Sequence, residues 1–116
     1  MAVCRPRLSD KRMERLAFKM KLNADQLKEY KKRHDQIWPE LQDLLRSAGV
    51  HDYSIFFDDE THSLFATMKV DDPKTLDQLP NDPLMKKWWS FMKDIMATNA
   101  DQSPVSHPLK EVFHLP

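Results

Sequence analysis

HDYSIFFDDETHSLFATMKV, residues 51–70, is the stretch that decides the fold. Tyr53, Ile55 and Phe57 share one parity, and Leu64, Ala66, Met68 and Val70 make a second row of alternate apolar positions. A two-residue period marks a strand with one buried face. Asp58-Asp59-Glu60-Thr61 separates the rows as a polar turn, so the stretch predicts a hairpin of strands His51–Asp58 and His62–Val70.

The same period appears upstream. From Arg15, apolar Leu16, Phe18, Met20 and Leu22 interleave with charged Arg15, Lys19 and Lys21, which predicts a first strand. Between it and the hairpin the spacing changes. Leu27, Tyr30, Ile37, Trp38, Leu41, Leu44, Leu45 and Ala48 recur at helical intervals, with Asn23 read as N-cap and Asp25 in the first turn. Pro39 removes the hydrogen bond to the Asp35 carbonyl and should bend or break that helix. Gly49, the only glycine, closes it. Beyond the hairpin, Asp71-Asp72-Pro73 opens a short helix to about Leu79, and Asn81-Asp82-Pro83 opens another to about Met96. Thr98 to Pro108, rich in Asn, Ser and Pro, reads as an ordered loop, and Lys110 to Leu115 as a last strand.

The order is β-α-β-β-α-β, an α+β ferredoxin-like arrangement with an antiparallel sheet and helices on one face. The other face has nothing in the chain left to cover it. A second copy packed sheet to sheet would do so, giving a homodimeric α+β barrel; a ligand cavity is the alternative, and both can hold together.

With 116 residues the chain fits one domain, read as residues 15–116 behind an N-terminal tail of residues 1–14. Eighteen basic side chains balance eighteen acidic ones. That balance argues against nucleic acid or an anionic membrane as partner. Cys4 is the only cysteine, so no internal disulfide forms, and no apolar run approaches the ~18–20 residues of a membrane span. The first residues lack the apolar stretch of a secretory signal. A cytoplasmic protein is expected, with an organelle-targeting tail built on Arg5, Arg7, Lys11 and Arg12 as the alternative.

His34 is the most informative single residue. It lies four residues after Tyr30 and four before Trp38, on the stripe that should face the sheet. A leucine would suit packing better there. A buried imidazole needs partners, and it is either a satisfied core histidine or a general acid–base. Trp88-Trp89 is the second feature, because neighbouring helical residues diverge by ~100° and cannot both centre one apolar stripe. A wide core face explains them; so does an indole stacking on the C–H face of a sugar. Tyr53, a lone tyrosine in an apolar row, needs a hydroxyl partner if buried.

The five histidines show no metal-binding spacing, and there is neither a glycine-rich phosphate loop nor a serine nucleophile elbow. Acid–base chemistry on a neutral small molecule, with no cofactor and no metal, is what remains.

Tyr30-Lys-Lys-Arg-His34-Asp-Gln-Ile-Trp38-Pro39-Glu-Leu41, Tyr53, Lys87-Trp88-Trp89 with Phe91-Met92, and Asn99-Ala-Asp101-Gln-Ser103-Pro104-Val105-Ser106 continuing to Pro116 together resemble the L-rhamnose mutarotase family. The similarity runs from about Arg15 to the C-terminus, and the N-terminal extension departs from it. The resemblance implies a ferredoxin-like homodimer that interconverts the α and β anomers of L-rhamnose by ring opening and reclosure. It implies His34 as proton donor and Tyr30, Tyr53, Trp88 and Trp89 as sugar-binding residues. The competing expectations are another enzyme of the dimeric α+β-barrel class and a non-enzymatic sugar-binding or dimerisation module.

Overall fold

The structure is a computed structural model, and it describes residues 13–116. Of the stretch read as an N-terminal tail, residues 1–12 lie outside the described residues, and Glu14 belongs to the first strand rather than the tail.

Strand β1 (Glu14–Lys21) runs antiparallel to β3 (Ser63–Val70), pairing Leu16 with Met68, Phe18 with Ala66 and Met20 with Leu64. β3 pairs in turn with β2 (Val50–Asp58), setting Ile55 against Ala66 and Phe57 against Leu64. The expected alternation is thus a single inward face, and its centre is closed to water, with Leu64, Ala66 and Val70 at 0–1% exposure. The hairpin turn is held by Asp58, whose carboxylate accepts from the Glu60 amide and the Thr61 hydroxyl. β2 carries a bulge between His51 and Ser54, where Asp52 adopts a positive φ of 50°.

The helical region before the hairpin is two helices, α1 (Leu27–Asp35) and α2 (Pro39–Ser47). The break follows from Pro39. A residue before proline is pushed out of the helical region, and Trp38 sits at φ −63°, ψ 131°. Gly49 ends α2 as expected, at φ +88°. A Cβ there would also stand 3.2 Å from that of Asp71. The N-terminal cap is corrected: Gln26, not Asn23, precedes α1, because Asp25 turns the chain with φ 62° before the helix starts. Asn23 instead donates its side-chain amide to the Asp94 carbonyl, 3.3 Å away.

After β3 come α3 (Pro73–Leu76), capped by the Asp72 carboxylate, a 3-10 turn at Leu79–Asn81, and α4 (Pro83–Met92), capped by Asp82. Both α3 and α4 are shorter than expected. α4 stops at Met92 because the following turn brings Met96 back to bridge Leu22 beside β1.

The last strand is also corrected. β4 is His107–Leu109, paired antiparallel with Ala17–Lys19, and residues 110–116 hold no regular structure. Pro108 made this segment read as loop, yet β4 is an edge strand, where a missing N–H is tolerated. The sheet order is β2-β3-β1-β4, the ferredoxin-like order. Its inner face packs with the helices around Met20, Leu41, Leu64, Trp88 and Met92.

Candidate functional site

The break at Pro39 lets α1 tilt independently of α2, and α1 carries Tyr30 and His34 one turn apart. α4 carries Trp88 and Trp89, and β2 carries Tyr53. All five line one cleft of about 1370 Å³ on the helix side of the sheet, ample for a monosaccharide. Apolar walls come from Ile55 and Phe57 of β2, Leu64 of β3 and Met85 of α4.

The His34 ring is fixed on three sides. Its Nδ1 lies 3.0 Å from the Tyr30 carbonyl, which can only accept, so Nδ1 carries the hydrogen. The Tyr30 ring stands 4.3 Å from the imidazole centre to centre, and the Trp88 indole meets it edge-on at 5.5 Å. Burial holds the imidazole below its ordinary value of 6.5, outweighing the opposite pulls of the Tyr30 carbonyl and the Asp35 carboxylate. His34 is therefore neutral at neutral pH, with Nε2 free of a hydrogen. That is the state of a base.

The tyrosines keep their protons. Burial raises Tyr30, with a further push from neighbouring Tyr53, and burial raises the Tyr53 phenol to about 12. Both phenols are thus hydrogen-bond donors throughout the physiological range. Tyr30 is enclosed in the core; Tyr53 as a whole is partly open to solvent, while its phenol group lies enclosed.

The tryptophans divide. Trp88 is buried, meeting Trp38 edge-on at 5.0 Å and Phe91 at 5.7 Å, so one edge of its indole is core and the other faces His34. Trp89 is half-buried on the cleft wall. Trp88 thus packs in the core, and both indoles line the cleft.

Two further features, one lining the cleft and one beside it, were given no site role from the sequence. The loop after α4 brings Asn99, Ser103 and Ser106 to the cleft, folded by Asn99 N–H to the Ser103 carbonyl at 2.8 Å and tethered by Val105 N–H to the Ala97 carbonyl at 3.0 Å. Its polar composition was visible in sequence, but its return to the cleft depends on β4 pairing with β1. Arg33, quoted in the sequence only within the Tyr30–Leu41 segment and given no role there, reaches from α1 to the end of α4. Among the described residues, no group of three metal-ligating side chains comes together.

A family model for L-rhamnose mutarotase matches residues 15–115. The chain belongs to the L-rhamnose mutarotase family. It is 58% identical over 103 residues to an L-rhamnose mutarotase of Formosa agariphila, covering 89% of this chain and 99% of that one. Over 103 residues it is 56% identical to the L-rhamnose mutarotase of Brucella anthropi, covering 89% and 97% of the two chains. The fold superposes on the crystal structure of the Formosa agariphila L-rhamnose mutarotase with a TM-score of 0.83, at 57% identity over 89% of this chain and 99% of that chain. A conserved protein from Methanosarcina mazei shares the fold alone, at a TM-score of 0.61 and 13% identity, over 90% of this chain and 98% of that chain.

Proposed function

We propose that this protein exchanges the α and β anomers of L-rhamnose, with His34 as the acid–base group and Tyr30, Tyr53, Trp88 and Trp89 holding the sugar. The observation that carries the reading is the 3.0 Å contact between His34 Nδ1 and the Tyr30 carbonyl. That carbonyl engages the Nδ1–H, so the basic Nε2 is the nitrogen left for substrate.

The reaction needs one proton taken and one returned. Nε2 accepts the anomeric hydroxyl proton, the C1–O bond to the ring oxygen breaks with its electron pair going to that oxygen, and C1 becomes an aldehyde. The ring oxygen receives a proton, C1–C2 rotates, and reclosure on the opposite carbonyl face gives the other anomer. A neutral imidazole that becomes imidazolium for part of the cycle suits both halves, at a typical worth of ~10²–10⁴-fold. The phenols of Tyr30 and Tyr53 donate to sugar oxygens, and an indole face covers sugar C–H bonds. The chemistry involves no net oxidation and no hydrolysis, so no cofactor is called for.

The working unit is a homodimer, formed sheet to sheet. Phe56 projects from the outer sheet face with 63% of its surface exposed, beside half-buried Phe65. Beyond β4, Val112, Phe113 and Leu115 are largely exposed too. Within one chain nothing covers these apolar groups among the described residues, and a second copy buries them by symmetry. The location is the cytoplasm; no helix among the described residues is long and apolar enough to cross a membrane.

Saturation-transfer NMR on L-rhamnose tests the activity directly. Exchange between the anomeric signals should quicken on adding protein and fall back when His34→Gln replaces it. Equal exchange with and without wild-type protein would refute the function.

A further inference from the structure

The guanidinium of Arg33 joins the two helices that carry the site. Arg33 precedes His34 on α1, and its side chain is only 12% exposed. Its Nε donates to Glu29 on the same helix at 2.8 Å. Its outer nitrogens cross to the end of α4, where Nη1 donates to the Phe91 carbonyl at 2.7 Å and to Asp94 Oδ1 at 2.9 Å, and Nη2 to Asp94 Oδ2 at 3.2 Å. The guanidinium also lies over the Phe91 ring, 4.5 Å from its centre.

Each contact has a physical reason. The Phe91 carbonyl is among the last of α4, with no partner inside the helix, and a cation is favoured there. The two-oxygen grip on Asp94 uses a rigid planar fork that lysine lacks. Asp94 is itself anchored from the far side, since Asn23 donates its side-chain amide to the Asp94 carbonyl and its backbone N–H to Ile95. The strut therefore ends on a fixed point. The backbones of α1 and α4 make no extensive approach to each other, so side chains set their spacing.

We infer that Arg33 is a positioning residue: by tying α1 to Phe91 and Asp94 it sets His34 at its working distance from the sugar held by Trp88 and Trp89. The inference rests on the proposed exchange of rhamnose anomers. A misplaced acid–base group slows the chemical step more than it weakens binding, because binding uses the cleft walls and catalysis uses alignment.

The test measures exchange at saturating rhamnose, and rhamnose binding by tryptophan fluorescence, for Arg33→Lys, Arg33→Gln, Asp94→Asn and the Arg33→Gln/Asp94→Asn double variant. Each single variant should lose about tenfold in kcat while affinity stays within about threefold. Arg33→Lys should fail to restore the rate, and the double variant should be no slower than Arg33→Gln, since both changes break one interaction. If Arg33→Gln does not fold, Asp94→Asn carries the test alone, its side chain being 62% exposed. Folded variants with the wild-type kcat, equal losses in kcat and affinity, or additive losses in the double variant would overturn the positioning role. Absence of exchange with wild-type protein would instead remove the functional reading on which it rests.

Discussion

The imidazole of His34 stands edge-on to the indole of Trp88, with 5.5 Å between ring centres and 90° between planes. One ring comes from α1 and the other from α4, so the pair joins the proposed proton-transfer group to the wall of the cleft proposed to hold the sugar. It also keeps water from one side of the imidazole, in line with the burial that holds His34 below its ordinary value.

His34→Gln should separate chemistry from packing. The amide can still donate to the Tyr30 carbonyl, so unfolding temperature should change little, but it cannot exchange a proton near neutral pH. Anomer exchange should fall ~10²-fold or more. Exchange and thermal unfolding measured on one preparation decide the matter, and a folded variant at the wild-type rate would end the catalytic assignment.

The pH profile has a definite sign. His34 is lowered by burial, so the basic form is lost only as pH falls below 6.5 and through the folded-state value. Activity should be flat from pH 7 to 8 and decline on the acid side, with its midpoint below that of a free histidine. Stability moves the same way. The unfolded state binds the proton more readily, so this residue costs stability progressively as pH falls from 6.5 down to the folded-state value. A rate that rises on acidification would contradict a neutral His34 base.

The two tryptophans should behave differently. Trp88 is 6% exposed and wedged between Trp38, Phe91 and His34, so Trp88→Ala should cost about 3–5 kcal/mol of stability. Trp89 is half-buried on the cleft wall, and Trp89→Ala should cost less stability while weakening rhamnose binding. Thermal unfolding and sugar-dependent fluorescence of both variants show which indole carries which load; equal stability losses with unaltered binding would make both of them core.

Tyr53→Phe removes one hydroxyl and nothing else. The wild-type phenol, pushed up to about 12, keeps its proton at neutral pH and can donate to the sugar. Its loss should weaken binding by about fivefold, the worth of one hydrogen bond, with the shape of the pH profile preserved. Unchanged affinity would place Tyr53 outside the sugar contacts.

Assembly is tested at Phe56. Wild-type protein should sediment at twice the chain mass at micromolar concentration, and Phe56→Asp should shift it to the monomer by placing a charge on the outer sheet face. A monomeric wild type would refute the sheet-to-sheet pairing.

The sequence by itself determined the inward face of the sheet and the helix break. Leu64, Ala66, Met68 and Val70 alternate without interruption, and a two-residue period allows one reading. Pro39 and Gly49 act through local backbone geometry, needing no tertiary partner to stop a helix. His34 and Tyr30 were also legible, since their spacing places them on one helix face. Only the tertiary structure decided the rest. Asp25 and Asn23 looked like a helix start, but Asn23 is spent on the Asp94 turn, a partner far away in the chain. The last strand lay at His107–Leu109 and not at Lys110–Leu115, because the free edge of β1 selects its partner by register and overrides residue preference. Arg33, Asn99 and Ser103 stood in segments the sequence marked, but no role could be read for them, because what they touch depends on how α4 and its following loop return to α1 and β1. Short-range geometry was written along the chain; the convergence of α1, α4 and β2 on one cleft depends on pairings between segments far apart in it.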